Sequence, residues 1–133
     1  MRWMFVLLVM MVSGMVGGCA AAGHVRFAPC PGSPNCVNSA LPDQNIAALP
    51  RGETVWERMK KEIVLLGGTI VEEQQGYLHA TFASKIFGFI DDLECLDDGM
   101  MIQVRSAART GWWDFGVNRK RVETLRRRML AAE

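Results

Sequence analysis

The chain has 133 residues, half of them hydrophobic, with 15 basic and 14 acidic side chains for a formal net charge of +1. That length suits a single domain able to bury about two-thirds of its unfolded surface. The near-neutral balance excludes bulk attraction to nucleic acid, and no Gly-x-Ser-x-Gly, phosphate loop or dinucleotide fingerprint points to a familiar enzyme class.

Met1-Arg2 is followed by an uncharged apolar run from Trp3 to Val12, and Gly14, Gly17 and Gly18 interrupt it before it reaches bilayer-spanning length. One cation, a short apolar core and a small-residue exit are the parts of an export signal. The exit, Val16-Gly17-Gly18-Cys19-Ala20, resembles a bacterial lipobox, with Val16 where Leu is usual. Residues 1–18 are expected to form a lipoprotein signal peptide, with Cys19 acylated as the new N-terminus. Two alternatives stay open: an ordinary cleaved signal followed by a chance Cys, and an uncleaved anchor. On the first reading the mature protein is lipid-anchored in the bacterial cell envelope, facing the periplasm or exterior. Its membrane attachment then comes from acyl chains, and Ala20 fits outer-membrane sorting.

Residues 19–52 hold all five prolines and little periodicity, as expected of a lipidated tether followed by an irregular arm. Five residues separate Cys30 from Cys36, Pro31 and Pro34 among them. Zinc wants four ligands at tighter spacing, and a redox pair usually sits two residues apart at a helix start. In an exported chain the favoured reading is a Cys30–Cys36 disulfide closing a small loop, with a pair of free thiols as the alternative. Cys95, in an apolar-patterned segment, reads as a buried small hydrophobe.

Regular structure is predicted across 53–133. Thr54-Val55-Trp56-Glu57 has the form of a capping box. Behind it Trp56, Met59, Ile63 and Leu66 recur at helical spacing until Gly67-Gly68. Four strands follow: Thr69–Gln74 and Tyr77–Ser84 around Gln75-Gly76, then Phe89–Leu96 and Met100–Ser106 around Asp97-Asp98-Gly99. A last helix starts near Asn118, read as its N-cap, and runs through Val122, Leu125 and Met129. Arg126, Arg127 and Arg128 complement its C-terminal dipole.

The order predicts an α+β two-layer sandwich: a four-stranded, mainly antiparallel sheet with two helices on one face, preceded by the irregular arm. Alternation turns Leu78, Ala80, Phe82, Phe89, Leu93, Cys95, Ile102 and Val104 toward the helices, and Tyr77, His79, Thr81, Asp92, Glu94, Gln103 and Arg105 away from them. The polar face fits either a ligand site or a solvated array of cross-strand ion pairs. Arg105, Arg109, Arg119 and Arg121 near a helix start fit either an anion site or internal pairing with Asp91, Asp92 or Asp114. Trp112 and Trp113 either pack on the sheet or project as a binding edge.

Three stretches, CPGSPNCVNS (30–39), YLHATFASKIFGFIDDLE (77–94) and VRSAARTGWWDFGVNRKRVETLR (104–126), resemble the domain-of-unknown-function 1499 family of exported or membrane-attached bacterial proteins and some plastid proteins. The likeness spans about residues 29–130, with a local departure at Ala107-Ala108, where the family more often carries Ser before the second Arg. It implies a fold and no catalytic roles. It also draws attention to Tyr77, His79, Asp91, Asp92, Arg105, Ser106, Arg109, Asp114, Asn118 and Arg119 as a linked polar set, which Glu94 joins on the sheet face. No cofactor, metal site or nucleic-acid partner is implied. The expected function is a non-enzymatic module binding a small ligand or protein partner at the envelope. The rivals are a small hydrolase or metal-dependent enzyme built on the His/carboxylate face, and a structural subunit of an envelope assembly.

Overall fold

The computed structural model describes residues 27–131. The expected signal peptide, Cys19 and the start of the tether lie outside the described residues. The elements are β1 Cys36–Asn38, α1 Val55–Leu65, β2 Thr69–Gln74, β3 Tyr77–Ala83, β4 Ile90–Asp97, β5 Ile102–Ala108 and α2 Val117–Leu130. They form an α+β sandwich whose sheet has five strands in the order β1-β5-β4-β3-β2, every pairing antiparallel. The fifth strand is the correction to the sequence reading. Cys36–Asn38 pairs with Arg105–Ala107, and Leu49 adds an isolated bridge to Ile102 further along the same edge. The arm is therefore part of the sheet.

α1 buries Met59 and Ile63, with Trp56 and Leu66 packed against the core. Its C-terminus follows the glycine pair. Gly67 adopts a left-handed φ of 93°, its N–H donates to Val64 O, and the Gly68 N–H donates to Ile63 O, both at 2.9 Å. That double return satisfies two otherwise orphaned carbonyls. A Cβ at Gly68 would stand 2.7 Å from the Phe82 ring and 2.8 Å from Ile63, so the close approach of α1 to the sheet also requires glycine there.

Both helices cover one sheet face. Leu78, Ala80, Phe82, Leu93, Cys95, Ile102 and Val104 meet Met59, Ile63, Val122, Leu125 and Met129 in one core, joined by Val37, Ile46 and Leu49 from the arm. The predicted alternation holds except at Phe89, which precedes β4, stays exposed, and stacks on Phe87 with centroids 5.7 Å apart.

Two predicted caps differ. Thr54 makes no side-chain cap bond at α1. At α2 the N-cap is Gly116, at a left-handed φ of 74°, and Asn118 lies inside the first turn, fully buried. Asp114 does the capping: Oδ1 accepts from the Gly116 N–H and Oδ2 from the Asn118 N–H, each at 2.9 Å. The reason is geometric, because a loop closing through Gly116 places Asp114 beneath the helix start, where a carboxylate satisfies orphan N–H groups and meets the dipole favourably. Two of the arginines at the helix end also make ion pairs, Arg128 with Glu62 at 3.1 Å and Arg126 with Glu123.

Candidate functional site

Strand alternation divides the predicted polar set between the two sides of the sheet. On the side away from the helices, Tyr77, His79, Asp92, Glu94 and Arg105 project from three adjacent strands, with His79 opposite Glu94 and Glu94 opposite Arg105. Arg109, just beyond β5, reaches the same face. Two linked groups result. Tyr77 donates its hydroxyl to Glu94 Oε1 at 2.9 Å, and Arg105 Nη1 donates to Glu94 Oε2 at 3.3 Å. Arg109 grips Asp92 through two parallel bonds of 2.8 Å, while His79 Nε2 lies 2.7 Å from Asp92 Oδ1. An ionised carboxylate only accepts, so the imidazole donates from Nε2.

The second cluster lies between sheet and α2. Asp91 pairs with Arg121 at 2.7 Å, and the Arg121 guanidinium also stacks over Phe82, 4.2 Å from the ring centroid. Ser106 Oγ donates to Asn118 Oδ1 at 2.5 Å, and the Asn118 amide donates to Asp114 Oδ2 at 2.8 Å and to Asn35 O at 3.4 Å. Asp91, Ser106, Asp114 and Asn118, linked in part through Arg121, thus form a clasp joining β4, β5, α2 and the arm, buried at Ser106 and Asn118. Arg119 belongs to neither cluster, since it bonds Asn45 O at 2.8 Å at the helix edge.

Sequence reasoning missed a third knot, in the arm. Asp43 Oδ2 accepts from the Cys30 N–H at 2.8 Å and from Asn38 Nδ2 at 2.9 Å, and Asn45 Oδ1 accepts from the Asn38 N–H at 2.7 Å. Asn35 Nδ2 donates to Gly111 O at 2.6 Å. The available signal was the density of Asn and Asp around Cys36, side chains that bond local backbone readily. The Cys30–Cys36 disulfide is present, with the Cα atoms 5.6 Å apart. Opposite Ala107 in the register, Cys36 faces away from the helices, so the staple lies on the polar side. There Phe27 and Pro29 border a groove with Leu96 and Gln103.

On the polar face the surroundings act on Asp92 and Tyr77 in opposite senses. The Arg109 guanidinium keeps the Asp92 carboxyl below the ordinary carboxylate range against the opposing effect of burial, and His79 adds to the lowering. Burial first, and the Glu94 carboxylate second, push the Tyr77 hydroxyl up, so it remains a donor. Burial likewise pushes the free Cys95 thiol up, leaving it without thiolate character. Among the described residues, no three His, Cys, Asp or Glu side chains are grouped to hold a metal ion.

A depressed carboxyl stabilises the fold above its unfolded value, about 3.9, and that contribution is lost as pH falls through the lower folded value. Asp92→Asn is therefore expected to cost about 1 kcal/mol at pH 7, a modest figure because Arg109 is half exposed. It should also flatten the loss of stability in acid. Urea unfolding of both proteins from pH 7 down to 2 checks the two slopes.

Fold and clusters define a small α+β domain with one helix-covered face, one charge-paired polar face and a stapled arm woven into the sheet edge. The chain belongs to the family described as protein of unknown function (DUF1499), whose sequence model matches residues 26–129. No curated protein and no solved structure matches it.

Proposed function

We propose that the protein is a non-enzymatic binding module of the bacterial envelope, lipid-anchored through Cys19. Its polar sheet face receives a small ligand or partner segment that presents an acceptor oxygen. One observation carries this reading: Arg105 Nε is buried on that face without a hydrogen-bond partner among the described residues. A guanidinium N–H held out of water in this way costs free energy until an acceptor meets it. Around it, Tyr77 is held as a donor and the Glu94 and Asp92 charges are met by Arg105 and Arg109. Donors held in place in this way, the Tyr77 hydroxyl and the Arg105 guanidinium, suit recognition of an acceptor oxygen.

The test starts from protein extracted from membranes in mild detergent and examined by native mass spectrometry. A bound small molecule or partner is expected on the wild type and lost from Arg109→Ala, whose half-exposed side chain can be removed without unfolding the domain, as well as from Arg105→Ala. If wild type and both variants give identical spectra with nothing bound, the face is internal bracing only. The intact mass of the same sample reports acylation at Cys19. A second reading, hydrolysis, draws on the 2.7 Å contact between His79 and Asp92 and predicts an esterase or phosphatase activity abolished in His79→Ala.

A further inference from the structure

Two loops leave the same end of the sheet from neighbouring strands. Ser84–Phe89 joins β3 to β4, and Arg109–Gly116 follows β5. The Arg109 N–H bonds Ile90 O at 3.0 Å, which ties the base of one loop to the base of the other. Ser84 and Lys85 of the first loop line a cleft with Val117 and Lys120 in the first turn of α2, which begins where the second loop ends. Both tips are apolar and turned outward: Ile86 is 84%, Phe87 73%, Trp112 70%, Trp113 60% and Phe115 79% exposed. So many large apolar side chains on adjoining loops exceed the scattered exposure usual for a protein surface.

The presentation is built into the backbone. Ser84 Oγ accepts from the Phe87 and Phe89 N–H groups at 3.3 and 3.1 Å, closing the first loop tightly. The second is pinned by Asn35 at Gly111 and by Asp114 at the helix start. Phe115 stands at a left-handed φ of 57°, a conformation unfavourable for a residue with a Cβ, and its ring packs on Trp113 with centroids 4.3 Å apart. A buried tip would gain core packing from such an arrangement, but this one faces outward.

The geometry points to a membrane-contact surface, in which the two aromatic tips seat in the interfacial zone of an anionic bilayer with Lys85 and Lys120 at headgroup level. The charge pattern selects this occupant. The carboxylate of Asp114, the one acid in the two loops, is turned inward to the helix start. Asp91 and Asp92 behind the loops are neutralised by Arg121 and Arg109. Lys85 and Lys120 make no ion pair among the described residues, which leaves cations free for lipid phosphates. Tryptophan favours the water–hydrocarbon boundary, and lysine reaches from it to the headgroups. Separate protruding prongs also enter a fluid interface without the matching concavity a protein partner would have to supply. The inference rests on these loops and holds whether or not Cys19 is acylated.

The experiment uses the full chain with Trp3→Phe and Trp56→Phe, so that Trp112 and Trp113 report alone among the protein's four tryptophans. The protein is reconstituted into phosphatidylcholine/phosphatidylglycerol vesicles with dibrominated acyl chains. Emission is expected to shift to the blue and fall by half or more relative to unbrominated vesicles. The Lys85→Glu/Lys120→Glu variant should lose most of that quenching. If the reporter protein proves unstable, the difference in quenching between wild type and Trp112→Phe/Trp113→Phe gives the same reading. Emission indifferent to bromolipid overturns the proposal. So does shielding of the two indoles from acrylamide by a soluble envelope extract but not by vesicles, which would make the pole a protein-docking edge.

Discussion

Asn118→Ala is expected to lower the free energy of unfolding by about 3 kcal/mol, the largest single effect anticipated for a polar position in this domain. Asn118 is buried in the first turn of α2, and every polar atom of its side chain is used. Its carbonyl oxygen accepts from Ser106 Oγ and from Arg121 Nη1 at 2.6 Å, and its amide serves Asp114 and Asn35 O. Truncation leaves two donors and the Asn35 carbonyl short of a partner in a mostly buried region, while Asp114 Oδ2 keeps the residue-118 N–H, and each group left short costs roughly 1–3 kcal/mol, reduced where survivors re-pair. Ser106 and Arg121 retain one bond between them at 3.1 Å, so the full sum is not expected. Chemical denaturation measures the loss, with Lys120→Ala two residues away as the control expected to stay within about 0.5 kcal/mol of wild type. A loss below about 1 kcal/mol would mean that the clasp organises α2 without stabilising it.

Removing the Cys30–Cys36 bond is the second large effect, expected to cost about 2 kcal/mol. The bond spans a sequence separation of 6, and closing so short a loop restricts the unfolded chain less than a long one would. In the folded protein the staple also fixes the Cys30 N–H on Asp43 and the start of β1 against Ala107. Cys30→Ser/Cys36→Ser should therefore unfold at lower denaturant than wild type, and wild type in excess reductant should match the variant. Agreement between them assigns the effect to the bond itself. The buried Cys95 thiol, held protonated by its surroundings, should not react with an alkylating agent until the domain unfolds in either protein.

These expectations come from residues whose legibility in the sequence was uneven. The polar face was readable because alternation along three strands is a strong signal: His79 and Asp92 fall on one side, Leu78 and Leu93 on the other, and the hairpins fix the register. The same alternation sends Asp91 and Ser106 to the helix side, so the linked polar set, Arg119 apart, splits into two clusters that share no bond across the sheet among the described residues. β1 was illegible because three residues carry no periodicity of their own, and their strand conformation is imposed by pairing with β5. Asn118 has the side chain of an N-cap, yet the acceptor that closes α2 is Asp114, four residues earlier, a choice made by the loop through Gly116. Phe89 carries strand propensity, but Ser84 turns its N–H into a loop bond instead.

The two margins of the sheet are finished differently, with a consequence for crowding. At one margin β1 is short and stapled, and the arm runs on over the same edge through Leu49. At the other, β2 carries a register shift between Ile70 and Glu72, an acidic pair at Glu72 and Glu73, and an ammonium brought over from α1, with Lys60 2.7 Å from Glu73. Kinked, charged rims are poor templates for a foreign strand. Copies packed side by side are thereby hindered from zipping into a continuous ribbon.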